Sequence, residues 1–149
     1  MPRIFGVNLI AWLASAVALY FVGFIFYGLL FADLWVGLSG FTEAEIAAME
    51  GAAPVGMVLG FVISLVTTLF LGIALKAFGA TSMGAAMRKA VLLWAGFAVT
   101  TMAYDTVYGG EPLMLLVLDS AHLLVGFVAA AAVQVLLDGV GAKAPAAAE

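Results

Sequence analysis

Four long apolar runs with few charges determine what this chain can fold into. The first run, from Phe5 to Phe31, contains no charged side chain and exceeds the roughly 20 residues that a helix needs to cross the hydrocarbon core. Three further runs span about residues 55–76, 86–107 and 113–137. Only 9% of the chain is charged, too little to cover the surface of a soluble domain of this size. The sequence therefore predicts an all-α membrane protein with four transmembrane helices in an antiparallel bundle.

The four runs indicate one membrane domain over residues 1–141, followed by a frayed alanine-rich tail over residues 142–149. A cleavable signal peptide is the alternative for the first run, because Ala14-Ser15-Ala16 resembles a small-residue cleavage site. The apolar run continues well past that site, which favours a permanent span.

The basic residues predict the orientation. With four spans, the N-terminus, the loop between the second and third spans, and the C-terminus share one side of the membrane. All five basic residues fall in these three segments, namely Arg3, Lys76, Arg88, Lys89 and Lys143. The opposite side carries Asp33, Glu43, Glu45, Glu50 and Glu111. The positive-inside rule then places both termini in the cytoplasm.

A long outer loop, from Asp33 to Pro54, separates the first two runs. Within it, Thr42 and Glu45 have the spacing of a capping box, in which each side chain accepts from the other residue's backbone N–H. The sequence therefore predicts a short amphipathic helix from Glu43 to about Glu50 in the outer loop.

Small residues recur at every fourth position of the second run and form a stripe: Gly56, Gly60, Ser64, Thr68 and Gly72. Such a stripe lets another backbone approach closely in lipid, where apolar burial does not drive helix association. The stripe can contact another span of the same chain or a second copy of the protein. We favour the same chain, because four spans must first pack against one another before an oligomer can form. Gly126 belongs to a comparable face of the fourth run.

Asp119 and His122 form an ionisable pair well inside the fourth run. Counted from Leu113 at about 1.5 Å per residue, they lie roughly 9 Å and roughly 13 Å below the outer boundary. Their spacing of three residues puts them on one helix face, where they can pair directly. Ionisable groups at such depth are costly, and they usually mark a proton path, an ion path or a ligand contact.

A packing role is the alternative for this pair. Asp119 and His122 can bond across to Tyr104, Asp105 or Thr101 on the third run and so fix the helices. A metal site is less favoured, because the single histidine and scattered carboxylates are a thin ligand set. Both the packing role and the proton or small-ligand role remain open at this point.

The sequence lacks the signatures of common enzymes. Cysteine is absent, which excludes thiolate nucleophiles and thiolate metal sites. There is no Gly-x-Ser-x-Gly elbow and no phosphate loop, and one histidine cannot form a His-x-x-x-His zinc motif. We therefore expect neither catalysis nor a bound cofactor or metal.

Aromatic and glycine positions along the chain are similar to those of a known family. They are Asn8, Tyr27, Phe31, Trp35, Gly40, Thr42 and Glu45 in the first half, and Gly84, Trp94, Gly96, Phe97 and Gly126 in the second. In this pattern the chain resembles the bacterial family known as domain of unknown function 1761. The resemblance implies a small four-helix protein of the bacterial inner membrane, without an assigned activity.

Two functional hypotheses follow. The first is a structural or accessory component of a membrane assembly, either a homo-oligomer or a subunit of a larger complex; its partners are then lipid and protein, and not nucleic acid. The second is a proton-linked transporter or small-ligand-binding protein centred on Asp119 and His122.

Overall fold

A computed structural model describes residues 2–138; the predicted tail at 142–149, and Lys143 within it, lie outside them. The helices are α1 Leu9–Phe24, α2 Ala32–Ser39, α3 Glu43–Ala77, α4 Met83–Leu93, α5 Thr100–Gly109 and α6 Leu113–Asp138. Two π-helical segments, Ile25–Leu30 and Trp94–Val99, extend α1 and join α4 to α5.

Four of the resulting helical stretches are long and apolar enough to cross a membrane. We call them the first to fourth spans: Leu9–Leu30, Glu43–Ala77, Met83–Gly109 and Leu113–Asp138. The prediction of an all-helical protein with four candidate membrane-spanning helices is thus confirmed.

The first span begins later than the sequence suggested. Arg3–Ile4 pairs antiparallel with Val7–Asn8, and the two residues between them, Phe5 and Gly6, have φ values of 48° and 79°. This is a tight hairpin turn of the kind that requires positive φ. The Asn8 side chain then accepts from the backbone N–H of Ile10, which caps the helix. The predicted start at Phe5 was wrong, because apolarity alone does not reveal a turn.

The predicted outer loop is mostly helical. Residues Ala32–Ser39 form α2, which ends at Gly40 with a φ of 65°. Thr42 and Glu45 do form a capping box, but the helix that it starts continues to Ala77. A separate short amphipathic helix from Glu43 to about Glu50 was therefore a wrong prediction. Pro54 lies inside the long helix, where it withholds only one backbone donor, a loss that membrane helices tolerate.

The first span packs against the second and the fourth. The indole Nε1 of Trp12 donates to the backbone oxygen of Leu65 at 2.8 Å. The buried carboxamide of Gln134 in the fourth span donates to the Thr68 oxygen at 2.6 Å and to Ser15 Oγ at 3.2 Å. One side chain therefore joins three spans through hydrogen bonds.

The small-residue stripe of the second span is covered over part of its length. Ser64, Thr68 and Gly72 are buried within the chain, and a Cβ on Gly72 would meet the Gln134 carboxamide. A Cβ on Gly60 would lie 3.4 Å from Tyr20, whereas Gly56 has nothing within 4 Å of such an atom. The buried half of the stripe thus faces other spans of the same chain.

Gly126 of the fourth span has the same role as Gly72. It is buried, and a Cβ there would collide with the Leu19 side chain of the first span. Close approach of the first and fourth spans therefore depends on a glycine at this position.

One end of the bundle gathers charged residues from three segments. Asp138 pairs with Arg3 of the N-terminal hairpin at 3.1 Å and with Lys76 of the second span at 3.1 Å. Asn8 also donates to the Leu137 oxygen at 3.3 Å. We call this the basic end, defined by Arg3, Lys76, Arg88 and Lys89.

Candidate functional site

Tyr27 and Asp119 form a short hydrogen bond between the first and fourth spans. The Tyr27 hydroxyl donates to Asp119 Oδ1 at 2.6 Å. Tyr27 belongs to the π-helical segment Ile25–Leu30. The wider turns of this segment change the helix face on which the following side chains lie, and such turns are frequent at functional sites. A carboxylate in hydrocarbon requires a donor of this kind, and the first span supplies it.

His122 lies next to this hydrogen bond, inside an aromatic enclosure. The centre of its ring is 4.9 Å from that of Tyr27 and 5.6 Å from that of Phe26. Trp35 of α2 packs edge-on against Tyr27 at 5.8 Å. The imidazole fits because residue 23 is glycine: a Cβ on Gly23 would be 3.2 Å from Nε2.

His122 Nε2 is buried, and it has no hydrogen-bond partner within residues 2–138. The direct pairing with Asp119 that their spacing permits is not seen among the hydrogen bonds and ion pairs of this part of the chain. The carboxylate turns to Tyr27 of the first span instead. The site is therefore a row of three groups, in which only the tyrosine and the aspartate are directly bonded.

The structure does not bring the two candidates from the third span to this site. The Tyr104 side chain is 63% exposed and stacks on Tyr108 at 5.7 Å between ring centres. Asp105 is exposed, and its backbone oxygen accepts from Glu111 at 3.2 Å. Both side chains lie on the outward face of the third span, whereas Trp94 of the same span contacts the fourth.

A second polar contact lies beside the Tyr27–Asp119 bond along the fourth span. The Trp94 indole donates to the Ser120 backbone oxygen at 2.8 Å, and Trp94 opens the π-helical segment of the third span. Ser120 is 8% exposed, and its Oγ is buried without a partner within the described residues. Both π-helical segments therefore direct a side chain to the stretch from Asp119 to His122.

The sequence did not reveal that the first span contributes Tyr27 and Gly23 to the candidate site. Tyr27 was visible as a polar residue in an apolar run, but its partner was not, and Gly23 gave no signal. Asp138 was likewise given no role, although an acidic residue among basic ones at a helix end is a usable signal for an ion pair.

The chemistry available at the site is that of hydrogen bonds and protons. Within residues 2–138 no three His, Asp or Glu side chains gather as metal ligands would. A phenol, a carboxylate and an imidazole in a row can fix two helices together, and they can also accept and release a proton.

Four helices that are long and apolar enough to cross a membrane define a small multi-pass helical membrane protein. The chain belongs to the protein family of unknown function DUF1761, whose model matches residues 10–135. The resemblance seen in the sequence is thereby confirmed. Searches of curated proteins and of solved structures gave no match.

Proposed function

We propose that this chain is an accessory component of a membrane assembly, without enzymatic activity, and that it docks through its third span. The third span differs from the other three in its hydropathy and in how little of it is buried. Over its most apolar 18 residues the third span has a mean hydropathy of 1.3, against 2.1 to 2.5 for the other three spans. Of the same residues 6% are buried in the third span, against 22% to 28% in the others. The least apolar span is thus also the least covered.

This combination is unfavourable for a bundle that meets only lipid. Lipid tails offer no hydrogen bonds, so polar side chains of a membrane protein normally face protein or water. The outward face of the third span nevertheless carries polar or small residues that are exposed: Gly96, Thr100, Thr101, Tyr104 and Asp105. A protein surface, from a second copy or from a larger complex, would supply close packing and polar partners there.

The proposal includes an antiparallel bundle with both termini in the cytoplasm of a bacterium. Two contacts support the antiparallel arrangement: Asn8 at the start of the first span meets Leu137 near the end of the fourth, and Tyr27 meets Asp119. The orientation rests on the basic end, since basic residues favour the cytoplasmic side.

The absence of cysteine permits a direct test of the docking face. We expect Thr100→Cys, on the third span, to give oxidative cross-links to a second copy or to another membrane protein in native membranes. Val58→Cys is the control, because Val58 is 63% exposed on the second span and faces lipid under the proposal. Equal cross-linking of the two variants, or none from Thr100→Cys, would contradict docking through the third span.

A second function is favoured by one specific observation, the buried and unpartnered Nε2 of His122 beside the Tyr27–Asp119 bond. Such a row of groups could carry protons for a transporter or bind a small polar ligand. In liposomes with a trapped pH indicator, Tyr27→Phe and Asp119→Asn would then reduce proton flux at least about a hundredfold, the lower end of the range for a lost catalytic proton donor or acceptor. Thr100→Val is the control, since its hydroxyl bonds only within its own helix. No flux through the parent protein would rule out proton transport.

A further inference from the structure

A cavity of about 350 Å³ opens at the basic end of the bundle. Lys76, Thr81 and Asp138 lie at its rim, and Gly72, Leu75 and Gln134 are among the residues that line it further in. We propose that this cavity binds the phosphate headgroup of an anionic phospholipid. The residues that line the cavity include none of the docking face and none of Tyr27, Asp119 and His122.

The depth profile of the cavity fits a lipid at the membrane boundary. Gly72 precedes Lys76 by one helical turn, and Gln134 precedes Asp138 by one turn, so the inner lining lies about 6 Å deeper than the rim. Valine and alanine side chains complete the lining. Apart from Gln134, the floor below the charged rim is therefore apolar. This order of groups matches a phospholipid, in which the phosphate is followed by the glycerol and the acyl chains, whereas free phosphate would gain nothing from an apolar floor.

The charges at the rim favour an anion. Lys76 at the rim and Arg3, which lies beside the rim and does not line the cavity, share the carboxylate of Asp138 at 3.1 Å each. This group of three side chains therefore carries one positive charge in excess. The Lys76 and Asp138 side chains are 36% and 39% exposed, and ion pairs with such exposure are weak. A lipid phosphate can therefore compete with Asp138 for Lys76. Basic clusters at the cytoplasmic surface attract anionic lipids for the same reason.

The test uses the whole 149-residue chain in detergent, with thermal unfolding measured against added lipid. We expect phosphatidylglycerol to raise the melting temperature, and phosphatidylcholine or inorganic phosphate at equal concentration not to do so. Lys76→Ala should weaken the apparent affinity for phosphatidylglycerol about fivefold. Arg88→Ala is the matched control, because Arg88 belongs to the same basic end but does not line the cavity.

A second variant keeps the test decisive if Lys76→Ala does not fold. Asp138→Asn removes the competing carboxylate, so it should strengthen the phosphatidylglycerol effect. Stabilisation by inorganic phosphate equal to that by the lipid would overturn the lipid assignment. Equal responses of the parent, Lys76→Ala and Arg88→Ala, or a weaker response of Asp138→Asn, would overturn the site.

Discussion

Replacing Gly72 by leucine is expected to force the second and fourth spans apart and to destabilise the bundle strongly. Gly72 is buried, and the Cδ and Nε2 atoms of Gln134 would lie 3.1 Å from a Cβ at this position. A leucine adds four carbons to that space, so the two spans must separate to admit it. Overpacking of this kind costs about 3 kcal/mol. Denaturant unfolding in detergent would measure the loss, together with the yield of folded protein.

Gly56→Leu is the matched control on the same helix. A Cβ at Gly56 has nothing within 4 Å, so the change is expected to stay within about 0.5 kcal/mol of the parent. Equal losses from the two variants would show that the helix disfavours leucine anywhere along the stripe. That result would contradict an internal seam confined to its buried half.

The membrane spans were predictable because the bilayer imposes a length and a composition that few other folds share. The helix ends were less predictable, and each error has a local cause. The turn at Phe5 and Gly6 depends on backbone angles, which apolarity does not encode. The continuation of the second helix through Pro54 depends on how little one lost donor matters when the rest of the helix is stable.

The candidate site was predicted on the fourth span, since a carboxylate and an imidazole in an apolar run are conspicuous. Its partner was assigned to the wrong helix. Which face of the first span meets Asp119 is set by the π-helical segment that contains Tyr27, and no simple periodicity reveals such a segment. The outward position of Tyr104 and Asp105 likewise depends on tertiary packing, in which Trp94 and not these two residues bonds to the fourth span.

The hydrogen bonds of Gln134 join the first, second and fourth spans into one unit, whereas the third span is held to the fourth through Trp94 and the buried Ala86 and Ala90. The Gln134 side chain is 6% exposed and reaches both Thr68 and Ser15. In lipid, hydrogen bonds and close packing replace the hydrophobic effect as the source of association between helices. Gln134 lies next to Gly72, where hydrogen bonding and close packing occur together, because a glycine without a side chain leaves room for the carboxamide.

Gln134→Leu is therefore expected to lower the free energy of unfolding by about 2 kcal/mol, since it removes two interhelical hydrogen bonds of roughly 1 kcal/mol each. Thr100→Val serves as the control, because the Thr100 hydroxyl donates to Gly96 and Phe97 of its own helix; its effect should be within about 0.5 kcal/mol. The same unfolding assay in detergent measures both. An unchanged stability of Gln134→Leu would mean that close packing at Gly72 and Gly126 alone holds the three spans. The polar contacts between these spans would then contribute to their alignment and not to their association.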